Sequence, residues 1–384
     1  MLYNTSPWQA ITVENFSIKQ KKCTTIIVKQ SFDFTAQGEV MASAAPVPII
    51  QADEYVADPT SSSLKNVNET APFKQGFELY AQSTAYPPKD KEVSVVEVNV
   101  TLQEKPVNAS SSTTSNSSAM PQTLINKTLR VTGERVWKRS LLGSVASTPQ
   151  TLTATAIQYE QAFGGIDSKK ATKYCSQNPI GRGFNLHSNE IIASALPSIE
   201  YPYDTLRKAK DSISVAGFGA IAPSWQPRLD LMPELDQEKL MQGRYPYSKS
   251  LPANAYNVAP HDQQIAQTLN SAQSWQCIIK GLLPNLAYQH PVVLTIPAKV
   301  PQLTVIQGEH QYSATLICDT LVLNSDDNQF HLLWRTSIDN SDLGDSPKFI
   351  VQEMPKPLNA QVGVQQDTQL TAQKAIKEPQ EVRA

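Results

Sequence analysis

SVVEVNVTLQ, Ser94–Gln103, sets Val96, Val98, Val100 and Leu102 on one parity and Glu97, Asn99, Thr101 and Gln103 on the other. Successive side chains of a strand point to opposite faces, so this stretch predicts a strand with one apolar and one wet face. The apolar face needs partners, and the flanking segments read as further strands. NKTLRVTGERVWKR, Asn126–Arg139, carries Leu129 and Val131 on one parity and Val136 on the other. Gly133 sits at the phase change, where a β-bulge would re-aim the side chains. Between the two strands NASSSTTSNSSAMPQ, residues 108–122, cannot bury enough apolar surface to order itself and reads as a loose, disordered loop.

Working outward, CTTIIVKQSFDF (Cys23–Phe34), a turn at Ala36–Gly38 and EVMAS predict a hairpin. The segment Ala52–Tyr80, dense in Asp, Ser and Pro, is expected to be irregular. HPVVLTIPA (His290–Ala298), YSATLICDTLVL (Tyr312–Leu323) and QFHLLWRTSI (Gln329–Ile338) read as strands, the last two joined by a turn at NSDDN. From Tyr159 to Gln264 the chain is punctuated by Gly and Pro, with Leu231–Met241 the best helical candidate. The run Gln263–Leu282 is expected to hold a helical turn or two before a strand. The expected fold is mainly β, with two β-rich lobes, long Gly/Pro-rich structured loops and few short helices. The lobes are placed at 1–145 and 146–354, and the polar segment 355–384 is expected to be a disordered tail.

A chain of 384 residues can bury a large core, and 33 Lys plus Arg against 35 Asp plus Glu leave a formal charge of -2. No strong field attracts nucleic acid or an anionic membrane, so neither is expected as a partner. Cys23, Cys175, Cys277 and Cys318 are far apart with no C-x-x-C pair, which argues for reduced thiols rather than a zinc knuckle or a disulfide framework. The N-terminus MLYNTSPWQAITVENF does not read as a secretory signal, and no stretch has the 18 or so apolar residues of a membrane span. A cytoplasmic location is the expectation, under which the sequons at Asn108 and Asn116 carry no glycan.

The chemical motifs are mostly incomplete. Gly217-Phe-Gly219 and Gly181-Arg-Gly183 lack the third glycine of a dinucleotide loop, and there is no phosphate-binding G-x-x-x-x-G-K-[ST] loop and no G-x-S-x-G elbow. His187, His261, His290, His310 and His331 form no H-E-x-x-H and no i, i+4 pair, so structural or surface roles are expected. His261-Asp262, and His187 with Glu190, are the nearest approach to an acid/base pair. Glu160, Asp167 and Asp262 are the carboxylates that a sugar hydrolase could recruit. Tyr201, Tyr203, Trp225, Tyr245 and Tyr247 suit either core packing or a stacking and docking surface. No catalytic, cofactor-binding or metal-binding residue is assigned.

Taken in order, YEQAFGG (Tyr159–Gly165), NPIGRGF (Asn178–Phe184), AGFGAIAPSWQPR (Ala216–Arg228) and NVAPHDQ (Asn257–Gln263) resemble the hallmarks of a bacterial family long catalogued as a domain of unknown function. VKQSFDF, ADEYVADPTSSSL, APFKQGFEL, KTLRVTGERVWKR and DTLVLNSDDNQFHLLWR match as well, so the resemblance covers about residues 5 to 340. Characterised members of that family are cytoplasmic adaptor-chaperones of the type VI secretion system, encoded beside toxic effectors and needed to load them onto the needle tip. The resemblance therefore implies a secreted toxin effector and spike-tip proteins as partners, no cofactor and no catalysis.

The residues it singles out are Tyr159, Glu160, Phe163, Gly164, Gly165, Asn178, Pro179, Gly181, Arg182, Gly183, Phe184, Gly217, Phe218, Gly219, Pro223, Trp225, Arg228, Asn257, Pro260, Asp262 and Gln263. They are expected to order loops or to contact a partner. Glycines beside Phe163, Phe184 and Phe218 would let backbones run close, prolines would fix loop direction, and Arg182 or Arg228 paired with Glu160 or Asp262 would lock loops together. LPANAY before NVAPHDQ and NSAQSWQ after it depart from the family pattern, which leaves partner specificity open. The alternative readings are a glycan or cell-wall hydrolase acting through loop carboxylates, and a passive carbohydrate-binding module.

Overall fold

Ser94–Gln103 lies at the heart of the observed architecture. The structure, a computed structural model, describes residues 1–353 apart from 106–121, 142, 168, 186–190, 210, 270–273, 288–289 and 298. The Val95–Glu104 strand buries Val96, Val98, Val100 and Leu102 as its alternation requires. On the opposite face, the Asn99 side-chain amide donates to Asn126 Oδ1, the Lys127 carbonyl and Thr128 Oγ1 at 2.8–3.0 Å. Its antiparallel neighbours are Thr123–Thr132 and Trp275–Lys280, and Ile199–Glu200 and Val292–Ile296 complete a five-stranded sheet. The loop expected at 108–122 falls, Gln122 apart, outside the described residues, as does the tail at 355–384.

The larger sheet has seven strands in the order Gln264–Ile265, Phe77–Gln82, Ile317–Asn324, Gln329–Asp339, Lys22–Phe34 and Gln9–Phe16, with Val40–Ala42 also paired to Lys22–Phe34. The hairpin expected at Cys23 to EVMAS is present in that last pairing. Lys22–Phe34 is buried on both faces, so it carries the continuous apolar stretch Ile26–Val28 and shows no clean alternation. Ile26, Val28 and Phe32 join the main core, while Ile27 packs with Tyr80, Val258, Val322 and Leu333 in a second cluster on the other side. A four-stranded sheet, Leu2–Asn4, Lys348–Glu353, Pro301–Gln307 and His310–Ala314, shares the main core through Leu303, Val305, Phe349 and Val351.

The molecule is mainly β, and residues 1–353 pack as one compact unit. Each of the two largest sheets combines strands from before and after residue 145, so a boundary drawn there cuts through both.

Several elements differ from expectation for local reasons. Gly133 is not a bulge: the strand ends at Thr132, and a side chain at Gly133 would sit 2.1 Å from the Gln150 carbonyl oxygen, so the glycine lets one backbone cross another. The helix expected at Leu231–Met241 is two pieces, Arg228–Leu231 and Gln237–Met241, because Pro233 interrupts it and Asp236 starts a new turn by accepting from the Lys239 amide at 3.1 Å. The helical turn near Gln263 lies just upstream at His261–Gln263, and no helix follows among the described residues before Trp275–Lys280. Tyr312–Leu323 is two strands in different sheets, His310–Ala314 and Ile317–Asn324. The segment expected to be irregular runs into Phe77–Gln82, a buried strand between Gln264–Ile265 and Ile317–Asn324 in the larger sheet.

Candidate functional site

Residues 159–165, 178–184, 216–228 and 257–263 meet in a lattice of loops. Phe163–Gly164 pairs in parallel with Arg182–Gly183, a contact that brings backbones close enough to require glycine. Gly164 has φ +153°, and a Cβ there would lie 2.1 Å from the Asn178 carbonyl oxygen; Gly165, at φ +101°, would meet the Gly181 carbonyl oxygen at 2.5 Å. Asn178 is fully buried, and its amide donates to the Tyr159 carbonyl at 2.8 Å and the Phe163 carbonyl at 3.0 Å. One side chain thus satisfies two carbonyls that no strand reaches. Phe163 and Phe184 meet edge-on with centroids 6.4 Å apart, over a small cluster that includes Trp137 and Leu206.

The remaining stretches clamp this lattice to the Phe77–Gln82 strand. The Tyr159 hydroxyl donates to the Gly219 carbonyl at 2.8 Å, its ring packs edge-on to Trp225, and Gly217 leaves room for it. Burial holds the Tyr159 phenol well above its ordinary pKa. Gln263 donates to the carbonyls of Leu79 and Phe218 at 2.7 and 3.0 Å, while Asn257 exchanges both hydrogen bonds with the Gln75 backbone at 3.0 Å. Glu78, fully buried, accepts from the amides of Val258 and Ala259 at 2.8 and 2.9 Å and pairs with Lys74. AGFGAIAPSWQPR thus contributes Gly217, Phe218, Gly219 and Trp225 to these contacts.

The expected arginine–carboxylate locks are replaced by others. Arg182 Nε donates to the backbone carbonyl of Glu160 at 2.9 Å, and the Glu160 carboxylate instead accepts from the Ser63 amide at 2.7 Å and from the Ser63 hydroxyl. Arg228 donates to the Ile221 carbonyl at 2.6 Å. Asp262 accepts from Lys127 Nζ and from the Tyr201 hydroxyl, each at 2.8 Å. Lys127 lies on the same parity as Leu129 and Val131, on the buried face of its strand, and burial pulls its ammonium down to about 8 although Asp262 opposes the shift. Ser63, Glu78 and Lys127 were not singled out in the sequence, although the parity of Lys127 with two core residues was a readable signal.

Glu160, Asp167 and Asp262 are each engaged in separate loops; Asp167 accepts from the amides of Lys169 and Lys170 at 3.1 and 2.9 Å. His187 and Glu190 lie outside the described residues, as do any contacts they make. Among the described residues no group of three His, Cys, Asp or Glu could hold a metal ion, and no helix is long and apolar enough to cross a membrane. Of the five aromatic residues considered for a stacking surface, Tyr203 is exposed and stacked on Tyr201, while Trp225 is buried against Tyr159.

The segment that leaves the lattice after Trp225 and Arg228 is different in kind. Leu229, Leu235, Leu240 and Met241, all within thirteen residues of chain, are 52, 51, 49 and 89% exposed. The segment is held at its far end by the Asp236 amide on the Pro246 carbonyl at 2.6 Å and the Ser248 amide on the Glu234 carbonyl at 3.1 Å.

Residues 19–335 match the family described as an uncharacterized protein conserved in bacteria (DUF2169), and the chain belongs to it. Comparison with curated proteins and with solved structures gives no match.

Proposed function

We propose that this protein is a cytoplasmic adaptor-chaperone that covers an apolar segment of a secreted type VI toxin effector and presents it to the spike tip. The observation that carries the reading is the set of exposed apolar side chains at Leu229, Leu235, Leu240 and Met241, which follows loops tied together by side-chain bonds to backbone carbonyls. Motif residues that satisfy buried carbonyls and leave backbones touching make a scaffold, and a scaffold with an apolar tip suits the capture of an aggregation-prone client. A client that exposes apolar surface when alone gains soluble yield by mass action when that surface is covered.

The test is an affinity pull-down of the tagged full chain from its native cells, with mass-spectrometric identification, repeated with Leu240→Asp and Met241→Asp together. Both side chains are exposed, so the double variant should unfold within about 0.5 kcal/mol of the parent. The expected result is a toxin and a spike-tip protein in stoichiometric amounts with the parent, and loss of the toxin with the variant. A partnerless parent, or a toxin whose solubility is indifferent to co-expression, overturns the reading.

A further inference from the structure

A groove of about 640 Å³ is lined by Tyr312 and Ala314 of the His310–Ala314 strand, by Ile317, and by Phe73, Arg335 and Ile338. That strand is the last of its four-stranded sheet, and among the described residues no further strand pairs with its outer side. In an antiparallel pair every second residue turns its backbone N–H and C=O away from the partner, so the strand offers a row of unpaired groups. Short as it is at five residues, HQYSA contains no Lys and no Pro, and its ladder runs without a register shift. Around it Ile18, Tyr312 and Ile317 are 45, 40 and 44% exposed.

The charges of the groove select among occupants. Buried Arg335 is paired with Asp319 and buried Lys74 with Glu78, so each cation of the floor has its own carboxylate. Asp339 is met by Lys21 at 3.8 Å, and Lys19 and Asp342, which also line the groove, are of opposite sign. The groove has no net charge with which to attract an ion. What stays unpaired beside it is the strand edge, a row of backbone N–H and C=O groups. Such a row calls for alternating neutral donors and acceptors, which an extended peptide backbone supplies.

We infer that this groove takes an extended, uncharged, alternately apolar segment of a partner protein, which adds as a strand to the outer edge of His310–Ala314 and lays its apolar side chains against Tyr312, Ile317 and Ile18. This is strand addition, in which backbone bonds supply affinity and alternate side-chain contacts supply selectivity. The inference does not rest on the adaptor reading, since it concerns a different face and any partner with such a segment.

The test is fluorescence anisotropy of a labelled peptide of roughly ten alternating Val and Thr residues with Gly-Ser ends, titrated with the full chain. Saturable binding is expected, weakened by about tenfold or more when prolines remove the donors of one peptide edge, and weakened when either Lys or Asp replaces the central residue. Ile317→Lys, at an exposed position, should abolish binding at unchanged thermal stability, and bound peptide should slow hydrogen exchange in His310–Ala314. No saturable binding, equal binding of the proline peptide, or protection confined to another strand overturns the inference. Self-association of the chain that Ile317→Lys removes would put a second copy in the groove and overturn it too.

Discussion

His331 shows how a single buried residue couples this fold to pH. It is 5% exposed, its Nδ1 lies 3.1 Å from Ser31 Oγ, and burial, aided by the Lys29 ammonium, lowers its pKa from 6.5 to about 3. Between these values the unfolded chain binds a proton that the folded chain refuses, so stability rises with pH across the window and is lost as pH falls from 6.5 toward 3. The slope from this one group is at most about 1.4 kcal/mol per pH unit. His331→Gln should flatten that part of the profile, as read from urea midpoints between pH 7 and 4; an unchanged slope rejects the assignment. At this scale the sequence was only partly legible. The positions of Asn178, Gln263 and the motif glycines were plain, but their partners were not, because Ser63 and Glu160 are 97 residues apart and Lys127 and Asp262 are 135 apart.

Among the elements, Val95–Glu104 and Phe77–Gln82 mark the two extremes of legibility. The first has a core on one face and polar neighbours on the other, so its alternation is visible. The second is buried on both faces, with Glu78 set among apolar neighbours, and a buried carboxylate erases the pattern that would have revealed the strand. Glu78 is tolerated because Lys74 and the amides of Val258 and Ala259 meet it. Glu78→Gln should therefore cost about 3–5 kcal/mol by leaving Lys74 buried and unpaired, read as a lowered denaturation midpoint. A change within about 0.5 kcal/mol would mean that the pair contributes nothing net. The same strand receives NVAPHDQ through Gln263 and borders AGFGA through the Ala81 amide on the Phe218 carbonyl at 2.9 Å, so this loss would spread into the motif lattice.

For the molecule as a whole, the decisive fact is that both large sheets close across the length of the chain. Cys23 pairs opposite Asp339, and Val98 lies between strands that begin at Thr123 and Trp275. Residues 1–145 expressed alone should show no cooperative unfolding transition, since each of their sheets then lacks its partners; a sharp transition in that fragment would revive an independent N-terminal lobe. The sequence by itself determined the β character, the individual strands with one wet face, the loop-rich middle and the family motifs, because alternation, turn chemistry and glycine placement are local properties of the chain. Only the tertiary structure decided which strands share a sheet, that Arg182 and Arg228 serve backbone carbonyls instead of carboxylates, and which apolar side chains at 229–241 and around Tyr312 stay uncovered. Pairing, ion-pair choice and exposure depend on contacts between residues far apart in the chain, and no local pattern encodes them.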